Sequence, residues 1–333
     1  MNSISHLSIL IAGPTAVGKS EIALRLAERI GGEIISADSM QVYRGLDIGT
    51  AKPSPADRAR VPHHLIDICD LTESFDAAQF ARLAHRAVAE IQSRGRVPIL
   101  CGGTGLYFKA FLDGLGETPA ADAQLRADLE ATPLENLLAE LRERDPVTYK
   151  KIDRKNPRRA IRAIEVIRLT GRPFSEQQSR WGETTGEPWR ALLRQCPNSS
   201  KGQGSDEALP SKNFFFVFTR QSDDLHARIN ARVDAMFARG LVDETRELLK
   251  HGLEQNRTAM QAIGYRQVVE HLRGERSLAE TIELVKIRTR QFAKRQLTWF
   301  RAQKNLEWIE LKAEDLAETV TEDLIHRLRV DSG

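Results

Sequence analysis

The chain has few cysteines and no long hydrophobic run, and both features argue against particular classes of protein. Its 333 residues include three cysteines, Cys69, Cys101 and Cys196, and no two of them form a C-x-x-C pair. This spacing argues against a disulfide framework and against cysteine-based zinc sites. The apolar run near the N-terminus is about seven residues long and follows no basic residue, so it is too short for a signal peptide or a membrane span. We therefore expect a cytoplasmic protein with no membrane segment.

A strong overall charge is also lacking, because the formal net charge is only +3. Basic residues are instead concentrated locally. Residues 154–172 carry seven Lys or Arg and one acid, Glu165, and residues 285–304 carry seven and no acid. The ordinary interpretation of such runs is a solvated helix face, with the aromatic residues of the second run in the core, namely Phe292, Trp299 and Phe300. Two acid-poor runs in a nearly neutral chain favour a nucleic-acid backbone as partner.

What is present is a phosphate-binding signature. The segment ILIAGPTAVGKS contains a full G-x-x-x-x-G-K-[ST] match, between an apolar strand-like run and an amphipathic helical pattern at Glu21–Ile30. That context separates the motif from a chance glycine-rich turn. Backbone N–H groups, the helix N-terminus and the lysine attract a phosphate chain, and the final hydroxyl can hold Mg²⁺. The predicted phosphate loop comprises Gly13, Pro14, Thr15, Ala16, Val17, Gly18, Lys19 and Ser20.

Strand-like and helical patterns alternate over the first part of the chain. Further strands are predicted at Glu33–Ala37, Val97–Cys101 and Asn213–Thr219, with short ones at Leu65–Ile68 and Glu307–Leu311. A helix is predicted at Asp76–Gln92, and Gly45–Pro62 is predicted to be a long loop. This alternation indicates an α/β fold, a P-loop NTPase-like doubly wound parallel sheet.

The pattern of apolar residues changes after Pro119, where helical patterns continue without a convincing strand. We predict a helical insertion domain at 119–185, and a catalytic core formed by 1–118 and 186–333. Residues 198–212 form a polar loop within that core. C-terminal helices are predicted at Asp224–Leu249, Met260–Arg273 and Leu278–Gln303.

Polar groups follow the predicted strands at their carboxyl ends. They are the phosphate loop, the segment Asp38-Ser39-Met40-Gln41, the turn Gly103-Thr104-Gly105, and Arg220. In open parallel sheets ligands bind beyond these ends, so the four groups are predicted to border one crevice. Each also has a structural interpretation: Asp38 as a solvated residue or helix cap, Thr104 as a helix N-cap, and Arg220 as the partner of a surface carboxylate. The adjacent His63 and His64 are expected to point different ways rather than to share a metal.

Two features of nucleotide-hydrolysing P-loop proteins are missing. The strand VPILC is followed by glycine rather than by an aspartate for Mg²⁺, and no N-K-x-D guanine motif is present.

An ordered set of motifs resembles the tRNA dimethylallyltransferase (IPP transferase) family over nearly the whole chain. Besides the phosphate loop, the set comprises Asp38–Tyr43 with Gly49–Pro53, Pro62–Asp67, Gly102–Tyr107, Ala262–Arg266 and Arg290–Phe300. The resemblance implies transfer of a dimethylallyl group from dimethylallyl diphosphate to N6 of adenine 37, beside the tRNA anticodon, with Mg²⁺. The last cysteine is Cys196, so we expect no C-terminal zinc finger of the eukaryotic type, and the resemblance is to the bacterial type.

The resemblance also implies roles for individual residues. Asp38 would be the general base, and Lys19, Thr104 and Arg220 would stabilise the leaving diphosphate, with Mg²⁺ near Ser20. The segment Asp38–Gln41 would grip a flipped adenine. Contacts with the tRNA anticodon stem-loop are expected from Arg126, Arg158, Arg159, Arg162, Gln261, Gly264, Tyr265, Arg266, Lys294, Arg295 and Arg301. A monomer is expected.

The sequence departs from the family pattern at three places. The phosphate loop has Val17 and Ser20 where many members have serine and threonine, Arg158–Arg162 has arginine where glutamine is frequent, and 198–212 is an insertion. Two other functions stay open: prenylation of free adenine nucleotide, against which the basic 285–304 segment argues, and a P-loop ATPase or RNA-binding protein without prenyl chemistry.

Overall fold

The computed structural model describes residues 8–115, 119, 122–177, 213–304 and 306–330. The chain divides into two compact units, one formed by Met1–Phe111 with Trp189–Gly333 and the other by Leu112–Pro188. The second unit contains the whole insertion predicted at 119–185. The polar loop predicted at 198–212 lies outside the described residues.

A six-stranded, fully parallel sheet forms the centre of the first unit. The strands are β1 (Ser8–Ala12), β2 (Gly32–Ala37), β3 (His63–His64), β4 (Val97–Gly102), β5 (Asn213–Arg220) and β6 (Glu307–Leu311). Their order is β3-β2-β4-β1-β5-β6. The register pairs Ala12 with Gly102 and with Val217, and Ala37 with Gly102, so the carboxyl ends of the central strands lie side by side. The predicted parallel P-loop-type sheet is confirmed.

Helices cover the sheet because their apolar faces need burial. The first unit contains α1 (Lys19–Ile30), α2 (Pro55–Arg60), α3 (Ala77–Ser93) and α4 (Gly105–Asp113) in its N-terminal half. Ile22, Ala23 and Leu26 of α1 lie in the main core. Gly31 ends α1 with a left-handed φ of 67°, a conformation that glycine adopts without strain. Asp76 caps α3 through a reciprocal bond with Gln79.

Two predictions for the region before α3 are wrong. The Gly45–Pro62 segment is not entirely loop, because Ser54 and Asp57 form a capping box and Pro55 occupies the first turn of α2. The short strand is β3 at His63–His64, not Leu65–Ile68. Leu65 and Asp67 have φ values of 61° and 57°, which no extended strand allows.

The described tail of the first unit is mainly helical. It contains α10 (Ser222–Ala238), α11 (Leu241–Lys250), α12 (Tyr265–Leu272), α13 (Leu278–Arg301) and α14 (Ala317–Val330), with 3₁₀ turns at Leu253–Gln255 and Ala259–Gln261. The helix predicted at Asp224–Leu249 is interrupted at Gly240, which has φ of 96°. The helix predicted at Met260–Arg273 begins only after Gly264, whose φ is 106°.

The second unit has its own core. Its helices are α5 (Ala123–Ala131), α6 (Leu134–Arg144), α7 (Pro146–Lys151), α8 (Pro157–Thr170) and α9 (Phe174–Gln177). Leu129, Leu137, Leu141 and Ile164 are among the side chains buried together there. Its described residues form helices and no strand, in agreement with the predicted helical texture.

None of the helices in the described part of the chain is long and apolar enough to cross a bilayer.

Candidate active site

The phosphate loop, Gly13–Ser20, joins β1 to α1 as predicted. Gly13 and Gly18 have φ values of 150° and 111°, and Ala16 is held in the left-handed region at 64°. A Cβ atom on Gly13 would lie 2.7 Å from the carbonyl oxygen of Phe218, so the strand β5 leaves room only for glycine. The sharp turn leads directly into the N-terminus of α1, where unpaired N–H groups favour an anion.

Two arginines donate to backbone carbonyl groups of this loop. Nε of Arg220 donates to the carbonyl oxygen of Val17 at 2.8 Å, and Nε of Arg228 donates to that of Ala16 at 2.9 Å. Arg220 also pairs with Asp224 at 2.8 Å and donates to the Lys312 carbonyl at 2.7 Å. The Arg220 side chain is 5% exposed and supports the loop, and its predicted role at the leaving group stays a prediction.

The inner side of the loop opens into the anion cavity, which has a volume of about 380 Å³. Lys19, Ser20, Arg228 and Arg232 are among its lining residues. Burial lowers the pKa of the Lys19 amine, whose Nζ donates to the Pro14 carbonyl at 3.2 Å. The Ser20 hydroxyl lies in the first turn of α1 and is exposed. Three cationic side chains around one cavity define a site for a multiply charged anion.

Arg232 is a candidate site residue that the sequence prediction missed. It lines both the anion cavity and the neighbouring cavity that contains Asp38. Burial lowers the pKa of its guanidinium, and the Asp38 carboxylate opposes that shift. Its Nη2 lies 3.4 Å from the Thr50 carbonyl oxygen, which is a long contact. A signal was available, because Asp224, Arg228 and Arg232 recur every four residues and so share one face of α10.

The Asp38 cavity also has a volume of about 380 Å³. One side of the cavity brings together three of the four predicted strand ends. Its lining there consists of Thr15, Asp38, Ser39, Met40 and Thr104. The Asp38 carboxylate accepts a hydrogen bond from the Met40 N–H at 2.9 Å. The Thr104 hydroxyl accepts one from the Ser39 N–H at 3.1 Å. The apolar side is supplied by Val233, Met236, Ile263, Val285 and Phe292.

Gln41 does not face the Asp38 cavity, contrary to the prediction that it grips a base. Its Oε1 accepts a hydrogen bond from the Ser36 hydroxyl at 2.9 Å, and its Nε2 donates to the Thr50 carbonyl at 3.2 Å. Gln41 therefore fixes the loop whose Thr50 carbonyl Arg232 also contacts.

Some residues of the segment Gln261–Arg266 are accessible at the surface, and others are buried. Gln261 lines the Asp38 cavity and Arg266 is exposed, with its Nε 3.1 Å from Glu270. Tyr265 is fully buried; its hydroxyl donates to Glu244 at 2.6 Å and accepts from the Gly49 N–H at 3.1 Å. The Tyr265 side chain is thus inaccessible to RNA and holds the Gly49 loop, and Gly264 is buried as well.

The helix α13 presents basic side chains beside the Asp38 cavity. Lys294, Arg295 and Arg301 are exposed. The expectation that Phe292 lies in the core is wrong, because it is 36% exposed and lines the cavity. The guanidinium of Arg295 lies 5.8 Å from the centre of the Phe292 ring. Phe300 does lie in the core.

In the second unit, Arg126 and Arg162 are engaged with a buried carboxylate. Each has a terminal nitrogen 2.7 Å from Oε2 of Glu165, which is 0% exposed. Arg158 and Arg159 are exposed at the start of α8. RNA contacts by these four residues stay predictions.

The two adjacent histidines have separate partners. Nδ1 of His63 lies 2.8 Å from the Val61 carbonyl, and Nε2 of His64 lies 2.7 Å from Glu33. No group of three or more His, Cys, Asp or Glu residues suited to a metal occurs in the part of the chain that the structure describes.

The fold and the site define a P-loop enzyme that places an anion cavity beside an apolar cavity with a carboxylate. The chain belongs to the IPP transferase family, whose profile matches residues 41–303.

Curated relatives support this assignment over most of the chain. The chain is similar to the tRNA dimethylallyltransferase of Halorhodospira halophila, with 48% identity over 89% of this chain and 90% of the relative. It is 45% identical to that of Geobacter sulfurreducens, over 92% of each protein.

Solved structures show the same similarity. A tRNA isopentenylpyrophosphate transferase from Bacillus halodurans is 38% identical, with a TM-score of 0.67 over 98% of this chain and 96% of that one. A eukaryotic dimethylallyltransferase acting on tRNA is 25% identical, with a TM-score of 0.72 over 96% of this chain and 80% of that one.

Proposed function

We propose that this protein transfers a dimethylallyl group from dimethylallyl diphosphate to N6 of adenine 37 in tRNA and releases diphosphate. The observation that carries the proposal is Arg232, which lines both the anion cavity and the Asp38 cavity. A donor whose diphosphate occupies the first cavity can therefore present its allylic carbon to the second. The relatives named above are described as tRNA dimethylallyltransferases.

The anion cavity suits the diphosphate. Loop N–H groups, Lys19, Arg228 and Arg232 surround the position where negative charge grows as the diphosphate leaves. A diphosphate beside Lys19 also favours the charged amine, against the effect of burial.

The donor set around Ser20 fits Mg²⁺. This ion usually takes one or two protein oxygens, with substrate phosphates and water completing its octahedron. The exposed Ser20 hydroxyl at the anion cavity offers one such oxygen. When bound, Mg²⁺ would neutralise part of the charge on the diphosphate.

The Asp38 cavity suits the acceptor and the dimethylallyl group. The N6 lone pair forms a bond with the allylic C1, the C1–O bond breaks, and its electron pair goes to the diphosphate. The N6 proton passes to Asp38, which acts as general base. Thr104 lies beside Asp38 on the cavity wall, and the apolar side chains exclude water from the allylic carbon.

The acceptor adenine must leave the stack of the anticodon loop to reach Asp38. The exposed residues beside the cavity, Gln261, Arg266, Lys294, Arg295 and Arg301, supply RNA contacts. Phe292 offers a ring face to a base. Arg158 and Arg159 of the second unit add phosphate contacts. A monomeric state and a cytoplasmic location remain predictions of the same proposal.

Three parallel incubations test the proposal. Purified protein and labelled dimethylallyl diphosphate are combined with tRNA, with AMP or ATP alone, and with RNA plus ATP while phosphate release is followed. We expect label in tRNA only and no RNA-stimulated ATP hydrolysis. Label on free nucleotide would favour nucleotide prenylation instead, and ATP hydrolysis with an inert prenyl donor would favour an ATPase.

A further inference from the structure

One buried amide on α13 contacts both sides of the active site. Gln296 is 7% exposed and lies on the inner face of the helix. Its Oε1 accepts a hydrogen bond from the Thr15 N–H in the phosphate loop at 2.9 Å. Its Nε2 donates to the Gly103 carbonyl at 2.8 Å, one residue before Thr104. A single planar group therefore links the diphosphate side to the Thr104 side.

The chemistry of this link is specific to an amide. A carboxamide carries an acceptor oxygen and a donor nitrogen in fixed relative positions. The Thr15 N–H needs the acceptor, and the Gly103 carbonyl needs the donor. An apolar replacement would leave the Thr15 N–H and the Gly103 carbonyl without these bonds, and a polar group that loses its partner in this way is destabilised. The two loops belong to adjacent strands β1 and β4, but past the strand ends the sheet no longer fixes their separation.

We propose that Gln296 is a positioning residue for prenyl transfer, and this rests on the proposed function. It fixes the separation between the phosphate loop, which carries the donor, and the Thr104 loop, which borders Asp38. Misplacement of reacting groups by about 1 Å can cost about a hundredfold in rate. Gln296 touches neither substrate in this assignment and acts through Thr15 and Gly103.

Lys294 lies on the opposite face of the same helix and Arg295 about a quarter of a turn away, and both are exposed. Gln296 is thus also the point at which the RNA-facing helix is attached to the donor-binding loop. Gln296 shares a helix face with the buried Ala293 and Phe300, three and four residues away, whereas Gln291, five residues earlier, is exposed. The helical pattern therefore favours burial of Gln296, but only the fold identifies its two partners.

The test compares Gln296→Leu and Gln296→Glu with the wild type. Gln303→Leu is the matched control, because Nε2 of Gln303 also donates to a backbone carbonyl, that of Trp299 at 2.8 Å, but away from both cavities. For each protein kcat and the donor KM are measured with tRNA, binding of inorganic diphosphate is measured by calorimetry, and Tm is recorded. We expect Gln296→Leu to lower kcat by about ten- to a hundredfold and to weaken diphosphate binding several-fold. Gln303→Leu should match the wild type in both.

The pH dependence of activity in the glutamate variant distinguishes a positioning role from a merely structural one. Its carboxylate still accepts from the Thr15 N–H, but it repels the Gly103 carbonyl until it is protonated. Burial raises the pKa of such a carboxyl, so a donor returns as the pH falls. We expect the activity of Gln296→Glu, relative to wild type at the same pH, to rise on acidification, while the ratio for Gln296→Leu stays flat.

The outcomes separate this inference from the proposed function. Wild-type kcat and diphosphate binding in Gln296→Leu, or a flat ratio for Gln296→Glu, would overturn the positioning role. A wild type that binds diphosphate, and loses that binding in Gln296→Leu, but never prenylates tRNA would support the link between the loops and refute the proposed function.

Discussion

At the scale of single residues, the site contains arginines with different tasks. Arg220 donates to the carbonyl oxygens of Val17 and Lys312 and pairs with Asp224, and so supports the phosphate loop. Arg232 lines both cavities, and its Nη2 lies 3.4 Å from the Thr50 carbonyl oxygen. Stabilisation of the leaving group by Arg220 stays a prediction, and we expect Arg232 to contact the diphosphate as well.

Replacing Arg232 should damage catalysis more than stability. Arg232→Ala removes a preorganised donor where charge develops, and such a loss typically costs about a hundredfold or more in kcat. Arg232→Lys keeps the charge but loses the planar fork, and should recover only part of the rate. Steady-state kinetics with varied dimethylallyl diphosphate measures both. Arg246→Ala, on the exposed face of α11, is the control. Full activity in Arg232→Ala would remove this residue from the site.

Asp38→Asn tests the general base. The asparagine Oδ1 can keep the hydrogen bond from the Met40 N–H, so the loop stays in place while the basic group is lost. Turnover should fall by about a hundredfold or more, while tRNA affinity stays within a few-fold. Single-turnover kinetics and filter binding measure the two quantities, with Asp70→Asn as the exposed control. Normal turnover would refute the assigned role of Asp38.

At the scale of secondary-structure elements, α3 and α4 are joined by an aromatic contact that carries a titratable group. The rings of His85 and Phe111 stack with centroids 4.4 Å apart, and His85 is buried. Burial lowers the pKa of His85 from 6.5 to about 4. The packing of this helix pair therefore requires the neutral imidazole.

This contact predicts a loss of stability in acid. Between pH 6.5 and about 4 the unfolded chain binds a proton at His85 that the folded chain does not, so stability falls as the pH is lowered through that range. The full effect is up to about 3 kcal/mol. His85→Gln should flatten this part of the profile, measured by urea unfolding at pH 7 and pH 5, whereas His226→Gln on exposed α10 surface should not. An unchanged profile in His85→Gln would contradict the assignment.

The helix α13 carries exposed basic side chains, from which we expect RNA contacts, while Gln296 on the same helix is buried. Replacing both Lys294 and Arg301 by alanine should weaken tRNA binding and lower the slope of log affinity against log salt by about 2. Binding titrations over a range of salt concentrations measure the slope. Arg86→Ala on α3, which is 74% exposed, removes a charge elsewhere and should leave the slope unchanged. An unaltered slope in the double variant would place the RNA elsewhere.

At the scale of the whole molecule, local sequence patterns predicted the sheet but not every group that meets at its edge. Alternating apolar runs and the phosphate loop were enough for a parallel P-loop fold, and strand ends located Asp38 and Thr104. Arg232, Phe292 and Gln296 could not be assigned in the same way, because their roles depend on how α10 and α13 pack across the sheet. The strand at His63–His64 was missed because positive φ values at Leu65 and Asp67 end the extended conformation early.

The net charge of +3 does not show how unevenly the basic residues are distributed along the chain. Exposed basic residues occur on α13, where Arg295 lines the Asp38 cavity, and on α8 of the second unit. Binding of tRNA to the whole protein should weaken steeply as salt rises, because phosphate contacts release counterions. A flat salt response would show that neither basic segment contacts the RNA backbone.

The destination of the prenyl carbon tests the proposed function most directly. Wild-type protein is incubated with labelled dimethylallyl diphosphate and tRNA, and the labelled nucleotide is mapped in the RNA by digestion and mass spectrometry. We expect label on N6 of adenine 37, with one diphosphate released for each group transferred and no label in the Asp38→Asn reaction. Label at another position, or diphosphate release with unlabelled RNA, would contradict the proposed function.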